Sequence, residues 1–331
     1  MSAPGLALIQ GGEWFGRHAA TEPMGPNAAH TMAAGWIVIG VCAVVYLAVL
    51  LVLAGAIVRG RRAAAPDVAP DTHRRYTRVV ATALGATVLV LFGFLALDLA
   101  THGRLDRIGR AETRPLTIEV TGHQWWWEAT YDDPTPSNRF STANEIHIPV
   151  GRPALLKLVS RDVIHSLWVP SLAGKRDLIP PYTTTLWLRA DRAGVYRGEC
   201  AEFCGLQHAK MDFTVVAEPP DRFAAWVAGQ RAPAATPANP VLLRGAQVFL
   251  ASPCAMCHTI SGTPAQGRAG PDLSHVGGRA TLAAGTIPNT RGNLAGWIAD
   301  PQRIKPGAKM PPNVLEPRDL QAVVAYLESL R

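Results

Sequence analysis

Two short stretches hold residues able to do redox chemistry. Cys254, Cys257 and His258 form Cys-x-x-Cys-His within CAMCH. In this spacing two thiols can bond the two vinyl groups of one haem, and the adjacent histidine can ligate its iron. A thioredoxin-like pair would want a βαβ context. A zinc site would want a second pair of ligands downstream. Neither accompanies CAMCH. The haem reading also calls for a second axial ligand near the far end of a small domain. Met310 in KPGAKMPPN fits, held between prolines and placed just before a terminal helical pattern. A thioether opposite histidine raises the potential and favours electron transfer over oxygen binding.

The second stretch, CAEFCGLQHAKM, carries Cys200, Glu202, Cys204, His208 and Met211; His165 lies upstream in DVIHSLWVPSL. Thiolates, imidazoles, a thioether and a backbone carbonyl are soft to borderline donors that suit copper. A single blue-copper ion takes one cysteine, so this set leaves a thiol over, whereas a two-copper centre with bridging thiolates uses both. A Cys200–Cys204 disulfide and a zinc site are the alternatives, and a disulfide would need neither His208 nor Met211.

Several elements must position these groups. The chain has 331 residues, 48% of them hydrophobic and only 17% charged, with a formal charge of +7. That excludes a disordered chain. The low charge fraction reflects apolar runs before position 100. Gly35 to Val58 carries no charge, and a second run goes from Val79 to Leu97. Each is long enough for a membrane helix. Between them lie Arg59, Arg61, Arg62, Arg74, Arg75 and Arg78 against Asp67 and Asp71. A short arginine-rich loop stays cytoplasmic, so the expectation is a two-helix hairpin over 35–100 with both termini outside, residues 1–34 forming an outward N-terminal segment. A cleaved signal peptide fits poorly, because the first run starts late and ends in arginines. Cys42 reads as a small hydrophobe in that run.

From Leu116 to Ala217, β-prone runs such as LTIEVTG, ALLKLVS and TTTLWLRA alternate with turn residues, which predicts an all-β sandwich or barrel. A short helix is expected over 220–230. GQRAPAATPANP, residues 229–240, reads as a linker. Helical patterns open and close the remaining residues, 241–331. That last domain carries nine Lys/Arg and five Asp/Glu. This surplus suits docking on an acidic copper-domain face, and nothing in it forms a nucleic-acid reading element.

The region 240–331, with CAMCH, AGPDLSHVGGR and KPGAKMPPN, resembles a class I cytochrome c domain, in which Pro271 would support His258. GVYRGECAEFCGLQHAKM, DVIHSLWVPSLAGKRDLIP and GHQWWWEATY resemble cytochrome c oxidase subunit II. That resemblance implies the fold: a transmembrane hairpin, an all-β cupredoxin domain over 111–228, then an all-α cytochrome c domain. It implies a dinuclear CuA held by His165, Cys200, the Glu202 backbone oxygen, Cys204, His208 and Met211. The Glu202 side chain would reach a Mg²⁺ shared with subunit I, Asp177 would contact subunit I, and Trp125 would be the electron entry to CuA. The middle position of the three tryptophans is often Tyr in this family, so Trp126 departs from it. A second departure is DTHRRYTRVVATALG, which lacks the family's second-helix glutamate and proline and leaves Asp71 as the nearby acid.

The implied activity is electron input to a bacterial terminal oxidase of the inner membrane. An outside donor, a cytochrome c or another carrier, reduces haem c. CuA follows, then a haem of subunit I, where oxygen is reduced with proton pumping. The implied partners are subunit I, subunit III and membrane lipid. The alternatives are the input subunit of a CuA-containing nitric oxide reductase and a free membrane-tethered carrier.

Overall fold

The computed structural model describes residues 18–61, 70–110 and 115–331. Arg62, Asp67 and the first half of the expected 1–34 segment lie outside them, as do the first residues of the expected 111–228 domain. The described chain divides into two units, Ala29–Ile108 and the rest.

The first unit consists of two long helices, α1 (Pro26–Gly60) and α2 (Pro70–Arg110). Both are long and apolar enough to cross a membrane, with stretches of mean hydropathy 3.1 in α1 and 2.4 in α2. Each helix runs past its apolar core. α1 begins nine residues before Gly35 because Pro26 sits at its start, where a missing N–H costs nothing. α2 continues from Leu97 through Asp98 to Arg110.

The second unit opens with residues 18–28 laid against a β-sandwich: Met24 N donates to Ser171 O at 2.7 Å and Asn27 Nδ2 to Trp187 O at 2.7 Å. Ten strands follow: β1 (Leu116–His123), β2 (Trp126–Tyr131), β3 (Phe140–Ala143), β4 (Glu145–Pro149), β5 (Ala154–Ser160), β6 (His165–Trp168), β7 (Arg176–Leu178), β8 (Thr184–Leu188), β9 (Gly194–Cys200) and β10 (Asp212–Glu218). They form two five-stranded sheets, ordered β3-β2-β1-β5-β8 and β4-β10-β9-β6-β7. Alternating side chains from both inner faces make the core, including Ile118, Val120, Trp127, Leu156, Leu158, Leu167, Tyr196 and Phe213, none more than 1% exposed. Burying each such aliphatic side chain is worth about 1.5–3 kcal/mol. Helix α3 (Pro220–Arg231) closes one end, where Trp226 stacks on His147 at 3.9 Å.

After residues 232–239 come α4 (Pro240–Ala251), α5 (Cys254–Cys257), the two-residue strands β11 (Thr281–Leu282) and β12 (Ile287–Pro288), α6 (Arg291–Ala299), α7 (Pro301–Ile304) and α8 (Pro317–Ser329). Asn239 caps α4 by accepting from Leu242 N at 3.0 Å. Helices α4 and α8 pack closely at Gly245, where a Cβ would lie 2.1 Å from Ala322 O. Only glycine permits that approach. The connecting segment is not a loose tether: Ala234 N donates to Ser261 O at 3.2 Å and Ala234 packs on the helical core. The β-sandwich and the helical domain thus belong to one compact unit.

Candidate copper centre and haem cavity

Strand pairing assembles the first site. β6 and β9 are antiparallel neighbours, with Leu167 opposite Cys200. This register sets His165, at the start of β6, beside Cys200, at the end of β9. The loop from Ala201 to Met211 then folds back into β10 and carries the other donors. Cys200 Sγ lies 3.8 Å from Cys204 Sγ, 3.8 Å from His165 Nδ1 and 3.3 Å from Glu202 O. Cys204 Sγ lies 3.6 Å from His208 Nδ1 and 3.8 Å from Met211 Sδ. All six groups expected from the sequence converge. Among the described residues, the donor atoms of His165, Cys200 and Cys204 fall within 4.8 Å of one another. Both cysteines are free and buried, so the disulfide alternative does not hold here. Two central sulfurs flanked by two imidazole Nδ1 atoms, a thioether and a carbonyl fit a thiolate-bridged copper pair.

His165 is oriented by a residue that the motif did not single out. Asp162 Oδ1 meets His165 Nε2 at 2.9 Å, which turns Nδ1 toward the thiols. Asp162 also accepts from Gln124 N at 2.7 Å. Burial works to raise the Asp162 pKa, but bonds from His165, Gln124 and Val163 outweigh it and hold the carboxyl below its ordinary value. The hydrogen bond between the two thiols drives Cys200 well down and Cys204 up, and burial adds to the rise at Cys204.

Glu202 turns its side chain outward, 3.9 Å from Lys175 Nζ and 46% exposed. Asp177 is half-buried and accepts from Ser166 Oγ at 2.7 Å. The three tryptophans take different places. Trp127 is core, its Nε1 donating to Met211 O at 3.2 Å. Trp126 stacks on His123 at 4.3 Å. Trp125 is half-buried and its Nε1 donates to Cys204 O at 3.1 Å.

The second site is a cavity of about 260 Å³ in the helical domain. Cys254, Cys257 and His258 line it, as does Met310. Phe249, Leu273, Ile298 and Leu327 make apolar wall. His258 Nδ1 meets Pro271 O at 2.7 Å, so Nε2 is left for a metal, and Pro271 holds the ring as expected. Burial keeps the His258 pKa below its usual value, and the Arg279 charge adds to this, favouring the neutral ring that ligation needs. Gly270 makes room for that ring: a Cβ there would lie 2.6 Å from His258 Cε1. Gln302 Nε2 donates to Met310 O at 2.9 Å and Ala308 O at 2.8 Å, fixing the loop that carries the methionine.

Arg279 also lines the cavity, and its buried Nε has no partner among the described residues. An orphaned cationic donor beside free thiols, a neutral histidine and a methionine fits an anionic haem. Asp162 opens DVIHSLWVPSL and Arg279 closes AGPDLSHVGGR, but neither motif marks them as supports, and Gln302 lies in no motif.

One wall of the cavity comes from the copper domain. Gln124, Trp125, Trp126 and Asn144 border it together with the haem-domain residues. The β-sandwich and the helical domain meet through Asp212 N to Ala284 O at 3.1 Å, Gln207 Nε2 to Pro306 O at 2.6 Å, Lys210 Nζ to Ile304 O at 2.6 Å and Ala280 N to Glu145 Oε1 at 2.8 Å. Among the described residues, the expected meeting of basic and acidic faces is represented by the ion pair of Lys309 on Asp162 at 3.4 Å. Neutral carbonyls receive most of these bonds.

Comparison with known proteins agrees with this geometry. Residues 134–218 match the family model described as cytochrome C oxidase subunit II, periplasmic domain, and residues 242–331 match that for cytochrome c. Cytochrome c oxidase subunit 2 of Alkalihalophilus pseudofirmus is 35% identical over 321 residues, covering 94% of this chain and 90% of that protein. This chain belongs to the cytochrome c oxidase subunit II family. Within that family, the subunit 2 of Bacillus sp. (strain PS3) is 32% identical over 74% of this chain and 69% of its own length. The periplasmic domain of subunit II of cytochrome oxidase from Bradyrhizobium japonicum is 28% identical; the match covers 36% of this chain and 96% of that one, with a TM-score of 0.34. As a member of the family, this subunit II is part of a haem-copper oxidoreductase complex in a membrane, and its domains imply copper and haem.

Proposed function

We propose that this subunit II takes electrons from an outside donor at a covalent haem c and delivers them through CuA to subunit I of a terminal oxidase. The observation that carries the reading is the position of Trp125, which borders the haem cavity while its indole donates to the carbonyl of Cys204. Haem c and CuA, when bound, supply one-electron storage at two successive sites, and oxygen reduction with its coupled proton pumping belongs to subunit I.

The residues of this chain do the holding. Cys254 and Cys257 would bond the haem, and His258 and Met310 would ligate its iron. Pro271 fixes His258, Gln302 fixes the Met310 loop, and Arg279 receives the haem's negative charge. His165, Cys200, Cys204, His208, Met211 and the Glu202 carbonyl hold the copper pair. Asp162 aims His165. Trp125 offers a π-system between the haem cavity and the Cys204 carbonyl.

On the subunit I side, the Glu202 carboxylate is placed outward to share a Mg²⁺, and Asp177 to meet a basic partner surface. Subunit III and lipid complete the surroundings of α1 and α2. The arginines between the helices favour a cytoplasmic loop, with both termini and both redox domains on the outer side.

Metal and haem analysis of the purified protein tests this function. The expected inventory is two coppers and one haem c resistant to acid–acetone extraction. One copper or none, or an extractable haem, contradicts it.

A further inference from the structure

The strap from Ile304 to Met310 contains a feature that the redox chemistry does not require. Lys305 is 3% exposed, yet it belongs to the helical domain's edge rather than its core. Its ammonium donates to three backbone carbonyls: Trp125 O at 2.7 Å, Lys210 O at 2.5 Å and Ala283 O at 3.0 Å. Two of these acceptors belong to the copper domain and one to the haem domain. No carboxylate is bonded to it in any described contact. A buried lysine is costly to desolvate. Burial pushes its pKa down to about 7, partly offset by the Asp212 charge and reinforced by Lys210.

The neighbours extend the same contact. Ile304 O accepts from Lys210 and Pro306 O from Gln207, both on the copper loop. Gly307, at φ +84°, passes so close to Leu206 that a Cβ would lie 2.7 Å from its Cδ2. Met310 follows in the same strap, and Gln302 ties the strap's two ends together. One segment therefore grips the copper loop and carries the haem's distal ligand. Trp125, whose carbonyl Lys305 holds, is the residue between the two sites.

We propose that Lys305 is the positioning residue that locks the haem domain onto the copper domain, fixing Trp125 and the Met310 strap in one arrangement for electron transfer. This rests on the function proposed above. Geometry of this kind matters because electron transfer weakens steeply as the two redox sites move apart. The lock uses buried donors and neutral acceptors, so salt does not loosen it.

The test uses the full-length protein in detergent and the variant Lys305→Met, which keeps the chain's length without the charge. Backbone hydrogen exchange reads docking directly, through the Asp212 amide that bonds Ala284 O across the interface. Exchange in the peptide containing Asp212 is expected to rise about tenfold in the variant, with the strands of the sandwich core unchanged. After flash reduction of haem c, transfer to CuA is expected to slow about tenfold or more, with the haem and copper inventories unchanged. Parent-like exchange and parent-like transfer in the variant overturn the proposal. Should the variant lose its haem, the parent protein decides alone: its transfer rate is expected to hold constant between about 0.02 and 0.5 M salt, and a several-fold fall assigns docking to surface ion pairs instead. Absence of any haem-to-CuA transfer in the parent would instead defeat the underlying function, so the two failures are distinguishable.

Discussion

The copper loop and the haem cavity solve the same problem in opposite ways. At the copper site, two neighbouring strand ends and one eleven-residue turn bring all six donors together, with sulfur–imidazole distances of 3.6–3.8 Å and the Glu202 carbonyl 3.3 Å from Cys200 Sγ. At the haem site, the ligands stand apart on the walls of a cavity assembled from helices, loops and a piece of the other domain. A small ion pair can be enclosed by neighbours in sequence. A flat cofactor needs walls gathered from distant segments. The copper site is accordingly set by strand register, and the haem site by helix packing and domain docking.

The largest expected effect falls on the copper side. Cys204→Ser removes one bridging sulfur and is expected to leave at most one copper, read by metal analysis, while the haem content stays at one. Equal loss of haem would show that the two sites fold together rather than separately. On the haem side, Met310→Leu is expected to keep the covalent haem but abolish the low-spin, methionine-ligated ferric spectrum. An unchanged spectrum rejects Met310.

A packing substitution sharpens the contrast further. Gly245→Ala places a methyl 2.1 Å from Ala322 O. It is expected to cost about 1–3 kcal/mol by forcing α4 and α8 apart. Thermal unfolding followed at the haem band should fall, with the copper band changing less.

The smallest effect concerns His147, which supports the copper domain far from its loop. Burial pulls its pKa down, but Glu145 and Glu218 more than offset this and leave it raised. A raised histidine stabilises fully below its unfolded value of about 6.5, and that contribution disappears as pH climbs through the folded pKa. His147→Gln is therefore expected to lower the melting temperature more at about pH 5.5 than at about pH 9. An equal loss at both pH values would contradict the charged pair.

Most of both candidate ligand sets was legible in the sequence, because chemistry at fixed spacing survives without coordinates. CAMCH and CAEFCGLQHAKM name their ligands within a dozen residues, and only His165 and Met310 had to be added from elsewhere. Helix boundaries at the two ends of the haem domain were legible to within a residue, where Pro240 and Pro317 start α4 and α8, while α5, α6 and α7 in its Gly- and Pro-rich middle were not read. They were less so in the membrane helices, since α1 and α2 continue through polar residues beyond their apolar runs. The supporting residues were not legible. Asp162 and Gln302 act through hydrogen bonds to groups that no motif pairs with them, and Lys305 makes contacts up to 180 residues away. The proline-rich segment 229–240 suggested a tether that raises local concentration. The two domains also hold each other directly: Gln207 and Lys210 of the copper loop donate to carbonyls of the Ile304–Met310 strap, and Lys305 of the strap donates to Trp125 O and Lys210 O.

The central claim is that haem and copper communicate inside one docked molecule. Flash reduction of haem c, followed at the CuA band over a wide range of protein concentration, tests it most directly. A transfer rate independent of concentration is the predicted result. A rate that rises in proportion to concentration would mean that electrons pass between molecules, and would contradict the account.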